Sequence, residues 1–383
     1  METRTIQGKP VSLLGYGLMR LPRTSSGGSS EIDFEAASKL IDHAIASGIN
    51  YFDTAYTYRG SEAFAGKALT KYPRESYFLA TKCPPWMLKN EADFERIFNE
   101  SLTRCQTSYF DFFLVHNLAQ EAKRAASNDD SFDDFVKLGM YEMLQKKKAE
   151  GKIRHIGFSF HGTIDLIEKL TDKYQWDFAQ IQLNYIDWKA TDAKRQYEIL
   201  SEHHIPVVIM EPLRGGVLAT LNESSAKILK DAQPDASLAS WGIRYAASLP
   251  NVLTVLSGMT TMEQLTDNIA TMSDFQSVTD QEKELMEKAA VVYNQAGAVP
   301  CTGCEYCMPC PQGVSIPRIF SVYNHYRLSN FRIPFDNGYA TFDMKEKASN
   351  CIQCGLCTQK CPQHIEIPAF MKEIDDFANT PTS

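Results

Sequence analysis

Asn50-Tyr51-Phe52-Asp53-Thr54-Ala55-Tyr56-Thr57-Tyr58-Arg59-Gly60-Ser61-Glu62 is the stretch on which the fold turns. An apolar, aromatic run carries the chain to Asp53, a polar loop presents Tyr58, and Ser61 with Glu62 begins a helix. In a parallel α/β protein chemistry gathers at the C-terminal ends of strands, and there a carboxylate and a following phenol face one pocket. The plainer reading is that Asp53 caps a loop and Tyr58 is a half-buried aromatic. The flanking segments decide between them.

Upstream, Val11–Arg20 reads as a short strand, and Thr24–Ser30, with its paired glycines, as a flexible loop. Asp33 is the expected N-cap of a helix over Phe34–Ala46, stopped by Gly48, and Ile49–Asp53 is the strand that follows. Downstream the alternation repeats. Strands are expected at Ser76–Lys82, Asp111–His116, Ile153–Ser159, Phe178–Leu183, Ile205–Met210 and Leu253–Ser257. Helices are expected at Glu62–Leu69, Asp93–Cys105, Phe132–Ala149, Ile164–Lys173, Asp192–Glu202, Leu238–Ala247 and Met262–Met272, with a polar loop over Gln120–Asp130. Eight short buried strands separated by helices over about 250–270 residues have the spacing and size of a (β/α)8 TIM barrel. A doubly wound open sheet is the structural alternative. No Gly-x-Gly-x-x-Gly stands at a strand-to-helix turn, so a dinucleotide-binding open sheet has no support.

The 383 residues exceed what one core usually serves, which predicts a barrel domain over 1–278 and a second domain over 279–383. A net charge of −8 argues against a nucleic-acid partner. The N-terminal residues lack the apolar core of a signal peptide, and no apolar run is long enough to span a bilayer. A cytoplasmic protein without membrane contact is expected. Of ten cysteines, eight lie between Cys301 and Cys361, while Cys83 and Cys105 stand alone. In a reducing compartment such crowding points to metal rather than disulfides.

Asp53, Lys82 and His116 lie at or beside the ends of consecutive strands, and Tyr58 follows the first of them. Their chemistry suits carbonyl reduction. A hydride adds to the carbonyl carbon while a proton donor meets the developing alkoxide. A phenol ordinarily titrates near 10; a neighbouring ammonium lowers that, and a carboxylate holds the ammonium in place. Histidine orients the carbonyl oxygen. Taken singly, each residue is as easily a solvated or satisfied side chain; four complementary groups on neighbouring strands favour function.

The chain resembles the aldo-keto reductases, barrel enzymes that bind a nicotinamide cofactor without a Rossmann fold. The resemblance spans about residues 10–275. It rests on Asp53-Thr54-Ala55 with Tyr58, Thr81-Lys82, Leu114-Val115-His116, Ile156-Gly157-Phe158-Ser159, Glu211-Pro212-Leu213 with Gly215-Gly216, and Ser257-Gly258-Met259 with Asn268. It implies Tyr58 as general acid/base, Lys82 and Asp53 as its tuning pair, and His116 as the orienting group. It further implies NADP or NAD as cofactor, with Ser159 and Gln180 on the nicotinamide carboxamide. Gly17, Met19, Met210, Pro212, Leu213, Gly258, Gln264 and Asn268 complete the implied cofactor contacts. Two departures stand out. Many members stack an aromatic residue on the nicotinamide before the Pro-Leu pair, where this chain has Met210 or Glu211. Members using NADPH commonly carry basic residues around the last strand and helix, yet Gly258–Gln264 contains no lysine or arginine. Modest discrimination between NADPH and NADH is therefore expected. Trp86, Tyr16 and Trp188 are candidates for an aromatic substrate pocket or for ordinary packing, and Arg20 for an acidic substrate or for solvent.

Past a helix expected at Asp280–Tyr293 come Cys301-x-x-Cys304-x-x-Cys307-x-x-Cys310-Pro311 and Cys351-x-x-Cys354-x-x-Cys357-x-x-x-Cys361-Pro362. The second run has the spacing of bacterial [4Fe–4S] ferredoxins, and the first is one residue shorter before its last cysteine. The chain also repeats itself: Pro311-Gln312-Gly313-Val314-Ser315-Ile316-Pro317 against Pro362-Gln363-His364-Ile365-Glu366-Ile367-Pro368. Two zinc sites are the alternative. Paired runs each closing on Cys-Pro favour two [4Fe–4S] clusters in a small, mostly helical ferredoxin-like domain, with a helix over Pro317–Leu328. In two-cluster ferredoxins the fourth cysteine of each run serves the other cluster. That places Cys301, Cys304, Cys307 and Cys361 on one cluster and Cys351, Cys354, Cys357 and Cys310 on the other.

The expected protein is a nicotinamide-dependent enzyme reducing a small-molecule carbonyl. One alternative is an electron relay that exchanges single electrons with a redox partner protein. Since nicotinamide passes electrons in pairs, that relay calls for a mediator such as a flavin. A non-catalytic redox sensor is the other alternative, disfavoured because all four catalytic positions are filled.

Overall fold

A computed structural model describes residues 1–24, 31–119 and 131–380. Parallel strands β1 (Leu14–Gly17), β2 (Tyr51–Asp53), β3 (Phe78–Cys83), β4 (Phe110–Leu118), β5 (Ile153–Phe160), β6 (Phe178–Gln182), β7 (Val207–Met210) and β8 (Val252–Ser257) close into a barrel in chain order, with β8 beside β1. The barrel expectation holds and the open sheet falls away. Pairing sets Gly17 opposite Asp53, Lys82 opposite Leu114, Ser159 opposite Gln180, and Ser257 opposite Tyr16.

The helices form where apolar spacing and caps coincide. Phe34–Ala46 starts at Asp33, whose carboxylate accepts from Ala36 N at 3.0 Å. Ile164–Lys173 and Leu238–Ala247 span the expected residues. Three features differ from expectation. The single helix expected over Phe132–Ala149 is two, Ser131–Lys137 and Met140–Ala149, because Gly139 adopts φ +61° between them. The strand expected from Val11 divides. Lys9–Ser12 pairs antiparallel with Thr3–Ile6, and only Leu14–Gly17 enters the barrel. An unforeseen helix, Glu223–Ala232, begins at Asn222, whose side chain accepts from Ser225 N at 3.2 Å. The Gln120–Asp130 loop, and 25–30 of the Thr24–Ser30 loop, lie outside the described residues.

Ile6 and Val11 of the hairpin join Tyr51, Phe78, Phe178 and Leu253, residues at or near the starts of barrel strands, in one buried cluster. The N-terminal end of the barrel is thereby plugged with apolar side chains. Polar residues collect at the opposite end.

The chain forms two compact units, Met1–Pro212 with Ala239–Thr279 and Leu213–Leu238 with Asp280–Ser383. Segment 213–238, expected within the barrel domain, groups with the C-terminal residues. Helices Asp280–Gln295, Ile316–Ser329, Arg332–Ala340 and Ile367–Ala378 make this second unit mostly helical. Its core gathers Ile319, Phe320, Tyr323, Phe335, Met371 and Ile374, with Cys301, Cys307 and Cys310 of the first run and Cys351, Cys357 and Cys361 of the second packed against it. Among the described residues no helix is long and apolar enough to cross a membrane.

Candidate functional site

Asp53 closes β2, Lys82 stands next to last in β3, and His116 lies in β4. Lys82 is 1% exposed. A buried ammonium is expensive unless oxygens replace its water, and two do: Asp53 Oδ1 at 2.5 Å and the Thr54 carbonyl at 2.8 Å. Burial pushes Asp53 up and Lys82 down, and their contact opposes both shifts. The Lys82 Nζ also stands 4.8 Å from the centre of the Tyr58 ring. Tyr58 in turn meets His116 edge to face at 5.8 Å. Burial first, then the Lys82 and His161 charges, hold His116 well below its ordinary value, so its imidazole is neutral near pH 7. The four residues singled out in the sequence are thus brought together.

The residues expected around a nicotinamide fall into two groups. Ser159 and Gln180 sit side by side on β5 and β6, each 2% exposed. Ser159 Oγ accepts from Asn117 N at 2.7 Å, and Gln180 Nε2 reaches Met210 Sδ at 3.6 Å. Gln180 Oε1 is buried and meets no donor among the described residues. That orphaned acceptor fits a ligand amide. The second group joins the first and last strands. A Cβ on Gly17 would lie 3.6 Å from Ser257 O and 3.7 Å from Gly258 N. Met19 lies in the turn Leu18–Arg20. Gln264 Oε1 accepts from Thr260 N at 2.8 Å and so caps its own helix, while Asn268 Nδ2 donates to Ser257 Oγ at 2.9 Å. Both shape the loop that carries Gly258. Pro212 ends its segment of the first unit, and Leu213 begins the second unit's.

Three contacts here have no signal in the sequence. Thr57 Oγ1 lies 3.4 Å from His116 Nδ1. The Arg20 side chain runs along Gly258, its Cβ 3.3 Å and Cδ 3.4 Å from where a Cβ would stand. Buried Glu62 accepts from Thr81 Oγ1 at 2.7 Å, and burial raises its carboxyl against Thr81, Ser101 and Arg104. Of the three aromatic candidates, Trp86 lies 5.6 Å from the His116 ring. Trp188 packs on Tyr197 and Tyr245, and Tyr16 donates to Met259 O at 2.5 Å.

In the second unit the sequence repeat is also a backbone repeat. Gly303 and Glu305 flank Cys304 with positive φ, as Gln353 and Gly355 flank Cys354, and Gly313 matches His364 after the two Cys-Pro pairs. Cys310, Cys351, Cys354 and Cys357, with Cys307 beside them, line a cavity of about 200 Å³. The Cys307 thiol is pushed up by burial and then by Cys304, Cys301, Cys361 and Cys357, which identifies its neighbours. Cys361 faces the backbone N–H groups of Ile365, Gln363 and His364, and Gly303 N donates to Cys301 Sγ at 3.4 Å. Thiols met by N–H donors around a cavity suit an iron–sulfur cluster. Among the described residues no three His, Cys, Asp or Glu side chains converge on a point for a single ion.

Residues 13–290 match the aldo/keto reductase family, and residues 300–366 match the 4Fe-4S dicluster domain. The chain is 26% identical to L-galactose dehydrogenase of Arabidopsis thaliana, over 74% of this chain and 92% of that protein. It is 24% identical to an NADH-specific methylglyoxal reductase of Escherichia coli, over 68% of this chain and 90% of that one. An aldo-keto reductase from Bacillus halodurans, solved in its holo form, superposes with a TM-score of 0.58 at 25% identity, covering 76% of this chain and 96% of its own. The chain belongs to the aldo/keto reductase family and carries a 4Fe-4S dicluster domain for two [4Fe–4S] clusters.

Proposed function

We propose that this NAD(P)H-dependent oxidoreductase reduces an aldehyde or ketone to an alcohol, with Tyr58 as the proton donor. The supporting observation is the Lys82 ammonium, sealed from water between Asp53 Oδ1 at 2.5 Å and the Tyr58 ring at 4.8 Å. A cation beside a phenol favours the phenolate, so the proton leaves Tyr58 more readily. It passes to the carbonyl oxygen as negative charge develops there. Neutral His116 offers that oxygen an N–H without adding a second positive charge. Bound nicotinamide supplies the hydride. Ser159 and Gln180 are the residues to hold its carboxamide, Met210, Pro212 and Leu213 to back it, and Gly17, Met19, Gly258, Gln264 and Asn268 to line the dinucleotide. Cys301, Cys304, Cys307 and Cys361 are assigned to one cluster, and Cys310, Cys351, Cys354 and Cys357 to the other. The relatives named for L-galactose and methylglyoxal support carbonyl–alcohol interconversion on a small polar substrate.

The test is Tyr58→Phe, followed by single-turnover absorbance and by nicotinamide fluorescence titration. Turnover is expected to fall by about 10²–10⁴, the range for a lost general acid, with nicotinamide affinity retained. Reduction at the wild-type rate would remove Tyr58 from the chemistry.

A further inference from the structure

We propose that the rim of the cavity bounded by Cys310, Cys351, Cys354 and Cys357 is the docking surface for a small, acidic one-electron carrier protein. The proposal rests on the assignment of a [4Fe–4S] cluster to that cavity.

Three observations carry it. Cys354 alone of the ten cysteines is exposed. The cluster held here would therefore come closest to solvent. Next, the residues on either side of Cys354 leave large apolar side chains in water: Ile352 is 63% exposed and Leu356 48%. Both line the same cavity. Met344, 73% exposed, is held near them because Asn350, next to Cys351, donates its side-chain amide to Met344 O at 2.5 Å. Apolar side chains grouped on a surface mark contact sites, and a patch of this kind suits the small, short-lived interfaces of electron transfer.

The third observation is charge, and it selects the partner. The acidic groups of this segment are engaged locally. Asp343 and Glu346 form a reciprocal cap, and Glu346 Oε2 also faces Arg318 at 3.5 Å. Lys345 and Lys360 are exposed, and among the described residues neither forms an ion pair; Lys360 lines the cavity. The Lys345 carbonyl lies 3.6 Å from where a Cβ on Gly313 would stand, in the turn after Cys310. An apolar rim with outward lysines is complementary to a carrier with a carboxylate-rich face.

Each encounter moves one electron. A flavodoxin in its anionic hydroquinone form becomes the neutral semiquinone, the cluster core passes from 2+ to 1+, and no bond forms or breaks. That carrier is the probe. The full chain, with both clusters assembled anaerobically, is mixed with flavodoxin hydroquinone in a stopped-flow cell over a series of salt concentrations. The expected second-order rate constant falls as salt rises. In K345E/K360E it falls at least tenfold at low salt and its salt dependence flattens or reverses. Met344→Ser, outside the cavity wall, slows transfer at every salt concentration. Iron content and the reduced-cluster EPR spectrum stay those of the wild type. Transfer at the wild-type rate in both variants, or a wild-type rate indifferent to salt, overturns the docking surface. Absence of a [4Fe–4S] EPR signal from the wild-type chain overturns the cluster assignment instead, and the two failures are read separately.

Discussion

Two oxygens stand between Lys82 and an unpaired buried charge: Asp53 Oδ1 and the Thr54 carbonyl. The tetrad was legible in the sequence because each member lies at or just past the end of a short apolar run. The packing of Arg20 along Gly258 was not, since nothing in the spacing of Arg20 announces a partner so far away in the chain. The expectation of weak cofactor discrimination rested on the lack of a basic residue in Gly258–Gln264. With the Arg20 side chain packed along Gly258, a guanidinium is supplied to that loop from the turn after the first strand. Charge-assisted hydrogen bonds to phosphate contribute about 1.5–3 kcal/mol. Arg20→Ala is therefore expected to weaken NADPH about tenfold or more while NADH changes less, as read by binding titration; equal losses would place Arg20 on a phosphate shared by both. His155 gives a second prediction. Its ring packs 4.8 Å from that of Phe112, and its Nδ1 is buried with no partner among the described residues. Burial is the main cause that pushes it down to about 4, against the opposing charge of Asp177. The unfolded chain takes up this proton below about 6.5, and the folded chain does not until about 4. Its contribution is thus complete above about 6.5 and is lost as pH falls toward 4, amounting to about 3 kcal/mol. Denaturation midpoints between pH 7 and 4 should fall less steeply in His155→Phe than in the wild type.

The barrel strands are short, and their fit depends on residues that leave space. Gly157 on β5 faces the start of β6, where an added Cβ would lie 2.5 Å from the Phe178 ring and 2.7 Å from its carbonyl oxygen. Overpacking a core costs about 1–3 kcal/mol. Gly157→Ala is expected to lower stability by that amount in urea denaturation. Phe178→Leu should recover only part of it, because the backbone carbonyl stays in place. Elements with a strong apolar period and a clear cap were readable, as Asp33 with Phe34–Ala46 shows. Those set by backbone conformation were not. The apolar pattern of Phe132–Ala149 runs straight across Gly139, and only the φ of +61° there breaks the helix. The N-terminal hairpin carries a usable signal in its turn. Gln7 and Gly8, φ +48° and +78°, make the two-residue turn that right-twisted strands prefer. Asn222 was a comparable missed cap.

At the scale of the whole chain, one question is how two four-cysteine runs make two sites. Spacing alone left crossed and uncrossed ligation open, because it does not say where the residue before each proline points. The cavity that holds Cys351, Cys354 and Cys357 also holds Cys310 and Cys307, and the neighbours of Cys307 include Cys357 as well as Cys361. Cysteines of the two runs therefore intermingle, and ligation has to be read from variants. Truncation is a blunt test, since residues beyond 345 supply Ile365, Ile367, Met371 and Ile374 to the core of the second unit. Paired serine substitutions are sharper. Serine keeps the side chain's size but replaces a soft thiolate with a poor ligand for iron. With crossed ligation, Cys310→Ser and Cys354→Ser strike the same site, so the double variant should lose one cluster and keep about half its iron. Cys310→Ser with Cys304→Ser strikes different sites and should lose both clusters. Uncrossed ligation reverses the pattern: Cys304 and Cys310 would share a site, and that pair would spare one cluster while Cys310 with Cys354 would not. Iron and sulfide content of the anaerobically reconstituted variants distinguishes the two arrangements without reference to catalysis.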